Sequence, residues 1–275
     1  MDASGKTTEL AGPGTYDSPR FSPDGKRLAY IASSAGGADV WIIDLERKTA
    51  VQLTFNSPGD YELVWAPDGK HLVFSSGSTM WWVRADGSAP PVTLLRAEGD
   101  TLRPQSFAPD GRRLAFVRHD LPDIWTLPVD LSDVDHPRPG NPEPFLNDPN
   151  IVEVDAAFSP DGRFMAYDSD GSGSEEVYVR SFPGPGGRWK ISTAGGKFQP
   201  GRTEAVVERG DPAKWSPPEF RFGAGRKAYR HVPGTGASGP GASAGNFHFQ
   251  LFQLFAAACA TREVNQPSTW THRRH

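Results

Sequence analysis

Phe107-Ala108-Pro109-Asp110-Gly111-Arg112-Arg113-Leu114-Ala115-Phe116 is the stretch from which the rest of the chain can be read. A proline in the second place presets φ near about −65°, the aspartate can bond its own backbone, and glycine completes a type I turn. Ala108–Gly111 is therefore a hairpin apex. In the strand that follows, a period of two puts Leu114 and Phe116 on one face and the small Ala115 on the other. One face offers bulk and the other permits close approach.

The same pattern returns three more times. Turns Ser22-Pro23-Asp24-Gly25, Ala66-Pro67-Asp68-Gly69 and Ser159-Pro160-Asp161-Gly162 are each preceded by an aromatic, Phe21, Trp65 or Phe158. Each leads to a large–small–aromatic triplet: Leu28-Ala29-Tyr30, Leu72-Val73-Phe74 and Met165-Ala166-Tyr167. A further stretch centres on Trp41, Trp81, Trp125 or Tyr178, and a short one starts at Val51, Val92, Glu143 or Trp189. This makes four strands per copy. The turn aspartates are 44, 42 and 51 residues apart, the spacing of propeller blades. The longest interval holds the proline-rich run Pro128 to Pro144, expected to be a loop. The chain thus reads as all-β: a β-propeller of four-stranded antiparallel blades, with four blades visible in an incomplete ring. Its 30 Gly and 26 Pro agree, because they interrupt any long helix.

Thr7-Thr8-Glu9-Leu10 stands where an outermost strand should be, 11 residues before Phe21. Past Thr193 the repeat should supply another aromatic and turn near 204–208, but the text there is Glu204-Ala205-Val206-Val207-Glu208. Charge shifts at the same place: residues 1–196 hold 18 Lys+Arg against 28 Asp+Glu, and residues 197–275 hold 11 against 5. The expected division is therefore blades over 1–198 and a mostly irregular, basic, low-complexity tail over 199–275, with a short helix at 246–260.

These turns, the strand Asp39 to Leu45, and the run Glu175 to Gly184 followed by Arg188 to Thr193 resemble TolB-type, WD-repeat-like propellers with Pro-Asp repeats. More narrowly, they resemble the propeller that follows a serine/threonine kinase or winged-helix domain in some bacterial multidomain proteins. The resemblance covers about residues 1–198. It implies a six- or seven-bladed parent and a recognition role, with no catalytic residue to carry over. Such propellers continue past Gly195-Gly196 into another blade, whereas this sequence does not. The expectation is a truncated member whose residues from about 199 are read out of frame or replaced.

The function classes narrow on composition. A net charge of −4 gives no reason to expect nucleic acid, whose binding needs clustered cation. One cysteine, Cys259, excludes an internal disulfide framework or a cysteine-based zinc site. No apolar run spans a bilayer and no export signal opens the chain as given, so a soluble, cytoplasmic location is the default, with an extracytoplasmic parent as the alternative. No cofactor is expected.

Short motifs were weighed against plainer readings. Gly241-Ala242-Ser243-Ala244-Gly245 fits a nucleophile elbow, but no hydrophobic strand precedes Ser243. Asp168-x-Asp170-x-Ser172-Gly173 opens like a calcium loop, yet position 12 is Val179 instead of a glutamate, so a loop between blade strands is the plainer reading. His71, His119 and His136 form no ligand spacing. Asp120, Asp123, Asp155, Asp168 and Asp170 are the carboxylates expected in loops and channel, where they would favour cationic partners. The leading expectation is a non-catalytic module that recognises a protein, peptide or small ligand through its loops. The alternatives are the propeller cap of a prolyl-oligopeptidase-type serine hydrolase, and a fragment without independent function that associates through uncovered blades.

Overall fold

A computed structural model describes residues 10–11, 14–34, 36–55, 59–118 and 123–192 of the chain. Its strands form four antiparallel sheets in chain order. The first contains β1 (Thr15–Phe21), β2 (Arg27–Ser34), β3 (Gly37–Asp44) and β4 (Thr49–Gln52). The second contains β5 (Asp60–Trp65), β6 (His71–Ser76), β7 (Thr79–Arg84) and β8 (Val92–Arg96). The third contains β9 (Leu102–Phe107), β10 (Arg113–Arg118), β11 (Asp123–Asp130), β12 (Arg138–Pro139) and β13 (Glu143–Leu146). The fourth contains β14 (Glu153–Phe158), β15 (Phe164–Ser169), β16 (Glu176–Ser181) and β17 (Arg188–Lys190). Neighbouring blades touch through their first strands, β1 to β5, β5 to β9 and β9 to β14.

All four repeat turns are closed hairpin apices. Gly25 N, Gly69 N, Gly111 N and Gly162 N donate to the carbonyls of Ser22, Ala66, Ala108 and Ser159 at 2.8–3.0 Å. Each glycine has φ between 64° and 73°, the region where a side chain is strained. The turns also fit one another across blades. A methyl group on Gly162 would lie 3.4 Å from Pro109 Cδ, and one on Gly69 would lie 3.6 Å from Pro23 Cδ, whereas Gly25 has nothing within 4 Å. The proline of one turn therefore seats the glycine of the next.

The triplets explain how blades stack. Leu72 and Phe74 join Ala29 and Ile31 of the first blade in one core cluster. Val73, on the opposite face of the same strand, lies with Leu114 and Phe116 of the third. Ala115 lies in turn with Met165 and Tyr167 of the fourth. Each blade thus presses its large residues onto the small residue of the blade before it, and β10 has four consecutive buried residues because both of its faces are covered. The aromatic before the turn follows the same rule: Trp65, Phe107 and Phe158 are buried, whereas Phe21 of the first blade is 44% exposed.

The run Pro128 to Pro144 departs from the expected loop. β11 continues to Asp130, and Arg138–Pro139 pair back onto Val129 and Asp130, adding a fifth strand. Proline is tolerated there because the Pro128 carbonyl accepts from Gly140 N at 2.8 Å, a role that needs no amide hydrogen. The expected outer strand at Thr7–Leu10 and the tail from 199 onward, including the helix at 246–260 and Ser243, lie outside the described residues, apart from an exposed Leu10.

Candidate functional site

Antiparallel order gives each blade two ends. The Pro-Asp-Gly turns, which join first to second strands, share one end with the links from third to fourth strands. The opposite, loop end carries the links from second to third strands and from one blade to the next.

At the turn end charges are paired locally. The Asp24 and Asp161 carboxylates accept from the Ser22 and Ser159 hydroxyls at 2.5 and 2.7 Å and sit below the usual carboxylate range. The Ser22 hydroxyl is the main cause for Asp24, whereas for Asp161 partial burial pushes upward and is outweighed only by the hydrogen bonds from Ser159 and Arg163 together with the Arg163 charge. His71, 1% exposed, stacks on Trp82 at 4.8 Å with its Nδ1 2.6 Å from Asp68 Oδ2. Asp135, from the excursion between β11 and β12, reaches back to His71 Nε2 at 3.4 Å and accepts from Arg84 at 2.8 Å. Trp82 Nε1 donates to the Val134 carbonyl at 2.8 Å. The excursion is thus a clasp that fastens the third blade to the second. Nothing in the spacing of His71 and Asp135, 64 residues apart, announces it.

The loop end differs. Two residues before the aromatic of the third strand (Trp41, Trp81, Trp125 or Tyr178) the repeat places Asp39, Thr79, Asp123 and Glu176, all buried. Two of these are closed by a hydroxyl from just past the fourth strand. Thr54 Oγ1 donates to Asp39 at 3.2 Å and Ser192 Oγ donates to Glu176 at 2.5 Å, while each hydroxyl accepts the amide hydrogen of Val40 or Val177. This clip was legible as Asp39-Val40 paired with Thr54 and Glu176-Val177 paired with Ser192, and was missed because acid and hydroxyl are about 15 residues apart. Asp123 is pushed upward by burial and by the charge of Asp148, against the pull of Arg118.

The carboxylates expected from the sequence fall into different settings. Asp123 and Asp168 are buried at the loop end, and Asp170 is exposed there, accepting from Val152 N at 2.8 Å. Asp155 lies instead on the inner strand β14 with φ 55° at a bulge, and its charge acts on Arg20 of the first blade. Burial lowers Arg20 to about 10, although Glu62, 3.4 Å away, and Asp155 oppose the shift. Asp120 lies outside the described residues. Asp168 and Ser169 end β15, and Asp170 to Glu175 link it to β16. Ser172 there accepts from Lys190 Nζ at 3.3 Å, and among the described residues no three His, Cys, Asp or Glu are grouped to hold a metal ion.

Between the third and fourth blades, a cavity of about 550 Å³ opens at the cleft. Phe145, Leu146 and Ile151 line it together with the polar Asn147, Asp148, Glu153, Arg180 and Arg188. Glu153 is 3% exposed, and its Oε2 has no hydrogen-bond partner among the described residues. Burial pushes its carboxyl up to about 7, against the attraction of Arg188 and Arg180. Sequence reading missed this group, since Glu153 stands in the repeat as an ordinary first-strand residue.

Stacked four-stranded antiparallel blades, each turning at Pro-Asp-Gly between its first and second strands, define a β-propeller. Residues 3–134 match the family described as TolB beta propeller domain, and over that stretch the chain is similar to TolB-type propellers. The Agrobacterium fabrum protein Atu1656 is 28% identical over 170 residues, 59% of this chain and 54% of that protein. The chain therefore spans about half the length of this curated relative. The TolB structure from Agrobacterium tumefaciens superposes with a TM-score of 0.54 at 18% identity, covering 66% of this chain and 64% of that one. TolB from Acinetobacter baumannii gives 0.51 at 19% identity, covering 65% and 44%. At these identities the two structures bear on the fold alone.

Proposed function

We propose that this propeller is a non-catalytic recognition module that holds a cationic protein or peptide segment against its loop end. The observation that supports this reading is the segregation of carboxylates. Glu98, Asp148, Asp170 and Glu175 are exposed at the loop end, in front of the buried Asp123 and Asp168. At the turn end the acids are tied instead to neighbouring hydroxyls, arginines and histidine. Acids already engaged in turns have less to offer a partner, whereas exposed acids gathered at one end attract an oppositely charged one. The test is fluorescence anisotropy of a lysine-rich peptide with the whole chain. Combining Glu98→Gln, Asp170→Asn and Glu175→Gln is expected to weaken binding about tenfold and flatten its salt dependence. Equal binding by this variant, or none by the parent, refutes the reading.

A second reading rests on the outer blades. Tyr16 and Phe21 of the first blade are each 44% exposed, and Gly25 has no proline seated on it. The fourth blade groups Ala166 and Val179 with Trp189 and Ile191 on its far face, apart from the clusters between blades. Large residues at one end and small ones at the other repeat the fit of the interior interfaces. A second copy added head to tail would satisfy both. Sedimentation should then show concentration-dependent association that Phe21→Asp and Tyr16→Asp abolish; a monomer at every concentration excludes it.

A further inference from the structure

The cleft between the third and fourth blades carries chemistry opposite to that of the loop end. Two guanidiniums face it from the fourth blade. Arg180 lies over the Phe145 ring at 5.6 Å, and Arg188 lies over Tyr178 at 4.0 Å with its NH2 donating to Ser169 Oγ at 3.4 Å. Among the described residues neither has a carboxylate within ion-pair distance. Beside them stands Glu153, nearly inaccessible and with one oxygen unpartnered. An ionised carboxylate so placed would be expected to ion-pair with an arginine, whereas a protonated one has a hydrogen to donate. Phe145, Leu146 and Ile151 add apolar surface beside the polar Asn147 and Asp148. A volume of about 550 Å³ falls in the range of small-ligand sites, which combine an apolar wall with a few convergent polar groups.

We propose that this cleft binds the carboxylate of an apolar organic acid or of a peptide C-terminus, with Arg180 and Arg188 gripping its oxygens and the protonated Glu153 donating a hydrogen bond to it. The apolar part of the ligand lies against Phe145 and Ile151. Arginine matches a carboxylate in bidentate geometry. Ionisation of Glu153 would set two carboxylates against each other, so binding is coupled to its proton. The charged and titratable groups around Glu153 are Arg188 on β17, Arg180 on β16, Asp123 on β11 and Asp148 in the link from β13, with Tyr167 on β15. Asp123 and Asp148 favour the protonated form, and the arginines oppose it.

This inference is independent of the loop-end reading, and a variant set that leaves Glu98, Asp170 and Glu175 intact keeps the two apart. Calorimetric titration of the whole chain with 4-methylpentanoate is the test. Affinity is expected to be roughly thirtyfold lower at pH 8.5 than at pH 6 if the bound form must hold the proton. Glu153→Gln keeps a donor but cannot titrate, so it should bind at both pH values alike. Arg180→Gln combined with Arg188→Gln should lose at least about tenfold in affinity while melting as a folded protein. A leucine-terminated tripeptide with a free carboxylate, set against its amide, separates the two ligand sources. Tighter binding of the free peptide than of 4-methylpentanoate assigns the site to a chain end, and weaker binding assigns it to a small acid. No binding of either probe at pH 6, an unaltered pH dependence in Glu153→Gln, or full affinity in the arginine variant overturns the proposal.

Discussion

The cleft between the second and third blades and the cleft between the third and fourth are built on the same rule and end differently. In both, large residues of one strand press on a small residue of the preceding blade. Between the second and third blades the outer part is closed. Trp82, Leu94 and Val129 are buried together, and the excursion carrying Val134 and Asp135 is fastened over them. Between the third and fourth, Arg180 and Arg188 stand where hydrophobic closure would be, and a polar cavity remains. A repeat therefore holds the inner strands constant and leaves the outer strands free to be either a seal or a site.

The comparison can be broken most forcefully at the sealed cleft. Trp82→Ala should cost about 3–5 kcal/mol in denaturant unfolding, because a 1% exposed ring in a packed cluster leaves a void. The half-buried Phe145 at the open cleft should cost no more than about 1–2 kcal/mol when cut to alanine. Equal losses would mean that the two clefts are packed alike. Next come the turns. Gly162→Ala and Gly25→Ala are each expected to cost about 1–2 kcal/mol from the left-handed backbone, because a methyl on Gly162 meets Pro109 at an ordinary contact distance. A loss at Gly162 well above that at Gly25 would show that the turns are seated too tightly to admit it. Asp135→Ala, which releases the clasp from His71 and Arg84, should lower the melting temperature by less than either turn substitution.

The smallest effect depends on pH. Glu153 is raised from 4.5 to about 7, so the fold favours its neutral form. The stability this contributes is complete below about pH 4.5 and is lost as pH climbs through 7. Glu153→Gln stays neutral throughout. Its melting temperature should match the parent near pH 4.5 and exceed it at pH 8; a constant difference would place the charge elsewhere.

Much of the fold was legible because turn chemistry and period-two patterning are local. Pro-Asp-Gly, the preceding aromatic and the triplet each act within a few residues, and the four strands of a blade followed from them. The large-on-small stacking of Ala115 against Met165 and Tyr167 was implicit in the alternation of the triplet. What could not be read joins residues far apart in the chain. His71 with Asp135 is a contact over 64 residues, and the cleft depends on which side chains of β13 and β17 the blade rotation brings together. Pro128 misled because a proline-rich run suggests a loop, whereas a strand can keep a proline where only its carbonyl is bonded. Of the loop and channel carboxylates, Asp123 and Asp168 lie at the loop end, but Glu153, the buried carboxylate that lines the cavity with Asp148, has no distinguishing sequence context.

The most direct measurement is a carbon-13 titration of the Glu153 carboxyl in the whole protein, assigned by the signal that Glu153→Gln removes. A midpoint near 7 that moves upward when 4-methylpentanoate is added is the expected result, since a ligand that needs the proton must hold it more tightly. A midpoint near 4.5 that the acid does not shift would contradict the account of the cleft as a proton-linked carboxylate site.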